Sequence, residues 1–211
     1  MKFSYFKNQI HQIKSAPLGG LESQFKLVPE LRIKISEEKI KKSNPRKAAV
    51  MALFYPDENN KTTFLLTQRA SYNGTHSAQI SFPGGKYDKV DNSLQQTALR
   101  ELEEEVGVAQ NSVEIIRQLS DTYIPPSNFM VTPFIGFLDE KPILTPNEEV
   151  AKLIEIEAKA LLNDENVSSI VLETSYMKEI EVPCFKFYNH IVWGATAMML
   201  SEIKDLMKEI E

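Results

Sequence analysis

Hydrophobic and polar positions divide this chain into a polar leading stretch and a long, strongly patterned remainder. Residues 1–46 are polar on average, with amphipathic pieces near 2–14, and Glu37 to Lys47 is dense in charge and expected to be exposed. From Ala48 the pattern changes. The apolar run Ala48 to Tyr55 predicts a buried strand. Pro56 to Lys61 carries Asp and Asn and predicts a turn, and Thr62 to Gln68 predicts the returning strand of a hairpin. Ala78 to Phe82 reads as a short strand that runs into Pro83-Gly84-Gly85.

Leu94 to Val106 has helical periodicity and stops at Gly107, a residue suited to a helix C-terminus. Strands are predicted at 113–119, 130–138, 149–156, 168–174, 180–187 and 190–193, a short helix at 158–162 and a final amphipathic helix at 195–209. This mixture predicts an α+β fold, an α/β/α sandwich with a mixed sheet. The expected organisation is an N-terminal extension, 1–46, packing on a core domain, 47–211.

Composition narrows the classes. A chain of 211 residues with 42% hydrophobic and 25% charged residues can bury one sizeable core and is not a disordered composition. A net charge of -5 gives no general attraction to nucleic acid or anionic lipid, so neither partner is expected. The apolar run Ile191 to Leu200 is about half of what spans a bilayer. Met1 to Lys7 lacks the apolar region of a signal peptide. Cys184 is the one cysteine, so no internal disulfide can form and a reducing, cytoplasmic setting is expected. Its apolar neighbours Val182, Pro183 and Phe185 favour a packed strand end over a nucleophile.

The chemistry is concentrated in Arg100-Glu101-Leu102-Glu103-Glu104-Glu105-Val106-Gly107. At about 100° per residue, Glu101, Glu104 and Glu105 share one helix face beside the apolar stripe of Leu94, Ala98, Leu102 and Val106. Like charges at that spacing repel, and acids in the last turns oppose the helix dipole. A solvated charge run is the plain alternative. A divalent cation would relieve the repulsion, and hard oxygen ligands suit Mg²⁺ or Mn²⁺. The turn Phe82-Pro83-Gly84-Gly85-Lys86 lets backbone approach a ligand closely, and a carbonyl there, at Gly85, can complete a metal shell.

Gly85 followed by Arg100-Glu101-Leu102-x-Glu104-Glu105-x-Gly107-Val108 resembles the Nudix box, G-x5-E-x7-R-E-U-x-E-E-x-G-U. The interval from Gly85 to Arg100 is one residue longer than in the general box, and Asp91 stands where the first Glu would be. That longer form resembles the CoA pyrophosphatase branch of the family. Leu65-Leu66-Thr67-Gln68-Arg69-Ala70 and Phe82-Pro83-Gly84-Gly85 are similar to that branch's further motif, L-L-T-x-R-S/A-x3-R-x3-G-x3-F-P-G-G, with Gly74 at its second Arg and Ala78 at its Gly. Asn128 to Phe134, Asn147 to Val150 and Ile191 to Ala197 also resemble this branch.

The resemblance implies metal-dependent hydrolysis of the pyrophosphate in a small nucleotide substrate, CoA or an acyl-CoA, giving 3′,5′-ADP and a 4′-phosphopantetheine. It implies Glu101 and Glu105 as metal ligands and Glu104 as a further ligand or base. Arg100 is expected to orient these glutamates within the catalytic group, and Glu149 to supply an additional base or ligand unless it is simply a strand-end acid. Arg69, His76 and Lys86 are expected to contact substrate phosphates, with surface pairing or a structural role as alternatives for the first two. Trp193 reads as core more readily than as an adenine platform. Gly74 and Ala78 keep ADP-ribose, a dinucleotide or a nucleoside triphosphate open as substrates, while Trp193 to Ala197 opposes them. A non-catalytic nucleotide sensor is the rival of another class, and the three retained glutamates oppose it. A homodimer is an expected assembly.

Overall fold

The centre of the molecule is β1 (Arg46–Pro56), whose side chains are buried on both faces from Met51 onward. A strand can be apolar on both sides only when each face is covered. In the computed structural model, which describes residues 1–29, 37–70, 79–174 and 177–209, that cover is a layer on either side of one mixed sheet.

Along β1 the pleat sends alternate residues to opposite layers. Ala49, Met51, Leu53 and Tyr55 pack with Ala98, Leu102 and Val106 of one helix, α4 (Leu94–Val106). Ala52 and Phe54 pack in the larger cluster on the other face. That cluster includes α1 (Phe3–Ser15) through Phe3, Phe6 and Ile13. It also holds Leu161 of α5 (Ala158–Leu162) and Leu200 and Ile203 of α6 (Ala195–Lys208). Phe6 stacks on Phe54 with centroids 5.1 Å apart, so the leading helix contributes to the central core. Two short helices, α2 (Gly20–Phe25) and α3 (Glu37–Lys42), complete the leading region.

β1 pairs in parallel with β7 (Phe129–Phe137) from Arg46↔Phe129 to Phe54↔Phe137. On its other edge it pairs antiparallel with two partners: its start with β4 (Gly84–Lys86) and its end with β2 (Thr62–Arg69). The partner strands therefore part midway along β1, and the Gly-rich turn enters the sheet at that fork. β2 also pairs with β3 (Ile80–Ser81) and β8 (Val150–Glu157), and the β8 register shifts between Gln68 and Arg69. β5 (Glu114–Gln118) and β6 (Thr122–Ile124) flank β7. A separate three-stranded sheet holds β9 (Val167–Thr174), β10 (Met177–Phe187) and β11 (His190–Trp193).

The α+β expectation holds, with helices on both faces of a mixed sheet. β1 begins at Arg46, so the 46/47 division falls inside its first residues. The strand predicted at 78–82 is shorter, Ile80–Ser81, and Ala78 lies outside the described residues. β4 is a strand where only a turn was expected, because its glycines pair by backbone alone. Among the described residues no helix is long and apolar enough to cross a membrane.

Candidate active site

The acidic helix is fixed at both ends. Ser93 caps its start, accepting from the Gln96 N–H at 3.1 Å, and Gly107 ends it at φ 76° with its N–H on the Glu103 carbonyl. Beyond Gly107 the chain returns and covers the helix end. Thr145 N–H bonds the Val106 carbonyl at 2.9 Å and Asn147 N–H bonds the Glu105 carbonyl at 3.0 Å. These bonds bring Glu149, two residues further on, to the helix.

The three box glutamates differ in environment. Glu105 is 9% exposed and accepts from the Gly84 N–H at 3.0 Å. Burial, opposed by that bond and reinforced by Glu101 and Glu149, pushes its carboxyl up to about 7. Glu101 is half-buried and is also shifted upward, chiefly by burial, against the pull of Arg100. Glu104 is exposed. One shared helix face thus presents a buried, a half-buried and an open carboxylate.

Arg100 organises two of them. Its Nη1 lies 2.8 Å from Glu101 Oε1 and 3.0 Å from Glu104 Oε2. Its remaining donors hold Asp91 and the Lys86 carbonyl, the latter at 3.3 Å. Arg100 thus contacts two of the three glutamates it was expected to orient. The sequence marks Asp91 only as the residue at the first Glu position of the box and does not single out Thr97; the bonds of Asp91 to Thr97 and to Arg100 were not anticipated. Thr97 Oγ1 donates to Asp91 at 2.8 Å inside the protein, and a polar residue on the buried side of a helix was the available signal.

The Gly-rich turn lies directly against the acids. A Cβ on Gly85 would come within 2.4 Å of the Glu101 carboxylate, so only a glycine leaves room for backbone and carboxylate together. A Cβ on Gly84 would strike the Ala49 carbonyl at 2.4 Å, and its φ of 152° is one L side chains rarely adopt. Among the described residues, no three Asp, Glu, His or Cys side chains already converge as a metal shell. Glu149 nonetheless raises the proton affinity of both Glu101 and Glu105, and Glu101 adds to the effect on Glu105. That surplus of negative charge, with a carbonyl-bearing turn packed on it, suits a hard divalent cation.

On the rim, Arg69 at the end of β2 pairs with Glu149, Nη2 to Oε2, at 2.7 Å. The structure thus unites a residue expected to read phosphate with one expected to act as base. Lys86 is exposed at the end of β4. His76, together with Gly74 of the extended motif, lies outside the described residues. Cys184 is fully buried on β10, and burial pushes its thiol up, so it has no nucleophile's setting. Trp193, half-buried, pairs with it on β11.

This arrangement defines an acidic helix face with a glycine-rich turn packed against it. The family model described as NUDIX domain matches residues 45–169. An uncharacterized Nudix hydrolase, NudL, from Photorhabdus laumondii is 35% identical over 146 residues, covering 68% of this chain and 76% of its own. A Nudix hydrolase from M. smegmatis, RenU, superposes with a TM-score of 0.55 at 16% identity, over 79% of this chain and 88% of its own. A MutT/nudix family protein from Enterococcus faecalis gives 0.53 at 14% identity, over 89% and 74%. The chain belongs to the Nudix hydrolase family. It is an enzyme of that class, whose members act on small nucleotide substrates with divalent metal ions.

Proposed function

We propose that this enzyme hydrolyses the pyrophosphate of CoA or an acyl-CoA, releasing 3′,5′-ADP and the (acyl-)4′-phosphopantetheine. The observation that carries this choice is Asp91. The longer, Asp-containing box resembles the CoA branch, and here its Asp is buried and holds Arg100 at two points.

Glu101, Glu105 and the Gly85 carbonyl would hold Mg²⁺ or Mn²⁺, with Glu104 as a further ligand. When bound, the ion neutralises diphosphate charge and lowers the pKa of bound water. Water attacks one phosphorus and the bond to the bridging oxygen breaks. Glu149, on the rim, accepts the water's proton, with Glu104 as the other candidate. Arg100 keeps Glu101 and Glu104 in place. Arg69 and Lys86 meet substrate phosphates. Positioning and preorganised charge supply most of the acceleration. The buried single cysteine fits a reducing, cytoplasmic setting.

The test is kcat/KM for CoA, dephospho-CoA and ADP-ribose under one set of metal conditions. CoA is expected to exceed ADP-ribose at least tenfold. A preference for ADP-ribose, the reading that Gly74 in place of Arg favours, overturns the CoA choice alone.

A further inference from the structure

The Arg69–Glu149 pair joins two groups for which the proposed function needs opposite partners. Arg69 is useful to a phosphate only when its guanidinium can turn to it. Glu149 is useful as a base only when no cation stabilises its charge. Yet they stand 2.7 Å apart, 41% and 54% exposed.

The backbone sets the two residues side by side. β2 and β8 run antiparallel, and their register shifts between Gln68 and Arg69, so Arg69 lies opposite Val150. One step on, the Ala70 N–H bonds the Glu149 carbonyl at 2.8 Å. Asn147 Oδ1 accepts the Glu149 N–H at 3.0 Å and fixes the turn that carries it. Both side chains also act on the acidic helix: Arg69 favours the ionised form of Glu105, and Glu149 opposes it.

Resting on the CoA-type hydrolase reading, we propose that Arg69 is a clasp on Glu149 that an entering phosphate opens. In the free enzyme the guanidinium neutralises Glu149. A diphosphate offers the same guanidinium more negative charge and a two-point partner, and takes it. Glu149 is then released as a base only when substrate is present. Arg69 is thus both a phosphate contact and a positioning residue for Glu149. A half-exposed ion pair corresponds to at most about fivefold in an equilibrium constant, so the clasp holds without blocking entry.

An opening clasp and simple loss of charge differ in their effect on binding. Binding must first break the pair, so removing Glu149's charge should tighten binding, but only while Arg69 is present to be freed. The probe is ADP with saturating Mg²⁺, with Kd measured by calorimetry for wild type, Glu149→Gln, Arg69→Gln and the double variant. Glu149→Gln is expected to bind ADP about threefold to fivefold tighter than wild type, and the gain is expected to vanish in the Arg69→Gln background. Unchanged or weaker binding by Glu149→Gln overturns the clasp, as does a gain that persists without Arg69, which would be plain relief of repulsion. Either result leaves hydrolysis by wild type intact. Failure of wild type to bind ADP and to cleave CoA would overturn the functional reading and the clasp together.

Discussion

Asp91 and Arg100 meet in a two-point ion pair, Nε to Oδ1 at 2.9 Å and Nη2 to Oδ2 at 3.1 Å. The Asp91 side chain is 2% exposed and that of Arg100 19%. Thr97 and the Asp88 N–H complete the carboxylate's partners. The Arg100 bonds, outweighing burial, hold the Asp91 carboxyl down at about 2. The arginine that grips Glu101 and Glu104 is itself gripped from inside the protein.

Asp91→Ala takes from a largely buried guanidinium its two-point partner and leaves it Glu101, Glu104 and the Lys86 carbonyl. The expected loss is about 3–5 kcal/mol, the usual cost of breaking a buried pair from one side. Chemical denaturation checks it, and a loss below about 1 kcal/mol would mean the pair is not an anchor. Acid dependence gives a second reading. The folded-state pKa lies below the unfolded value, so Asp91 stabilises fully above pH ~4 and loses this as pH falls through ~2. The variant's stability should be flatter across that window.

The adjacent glycines should fail differently. At Gly85 the atoms nearest a new Cβ all belong to the Glu101 carboxylate, which can swing away. Gly85→Ala should fold while activity falls at least tenfold, because Glu101 is displaced. At Gly84 the obstruction is backbone, the Ala49 carbonyl and the Val50 Cα. Gly84→Ala should therefore lower the melting temperature by several degrees. Thermal unfolding beside kcat separates the two, and identical behaviour would contradict the close packing of turn on helix.

Glu105 predicts how metal affinity follows pH. Its carboxyl is raised to about 7, so in metal-free protein the folded state holds a proton that the unfolded state releases. Stability of that form should fall as pH rises from ~4.5 to ~7. A metal must displace the same proton, so Mn²⁺ should bind about tenfold more weakly at pH 6 than at pH 8. Calorimetry in two buffers of different ionisation heat counts the proton. Equal affinity at both pH values would remove Glu105 from the ligand set.

Much of this was legible in the sequence where the signal is local. α4 has the bounds its periodicity and Gly107 predict, and α5 spans the 158–162 expected of it. β6 was missed because three residues carry no period, and α3 because a charged exposed helix has no apolar stripe. The helical spacing put Glu101, Glu104 and Glu105 on one face, but their graded burial depends on the turn at Gly84 and Gly85. Least legible was Arg69 against Glu149. They are eighty residues apart, and the β2–β8 register that joins them is set by pairing across the sheet.

Cleavage of the CoA pyrophosphate by Glu105 and its neighbours is the reading on which the rest depends. It is tested by incubating CoA and Mg²⁺ with wild type and with Glu105→Gln, separating the products and checking the variant's fold by circular dichroism. Wild type should release 3′,5′-ADP and 4′-phosphopantetheine in equal amounts, and the folded variant should do so at least two orders of magnitude more slowly, about 2.7 kcal/mol of lost transition-state stabilisation. No 3′,5′-ADP from wild type, or near wild-type turnover by Glu105→Gln at saturating Mg²⁺, would contradict it.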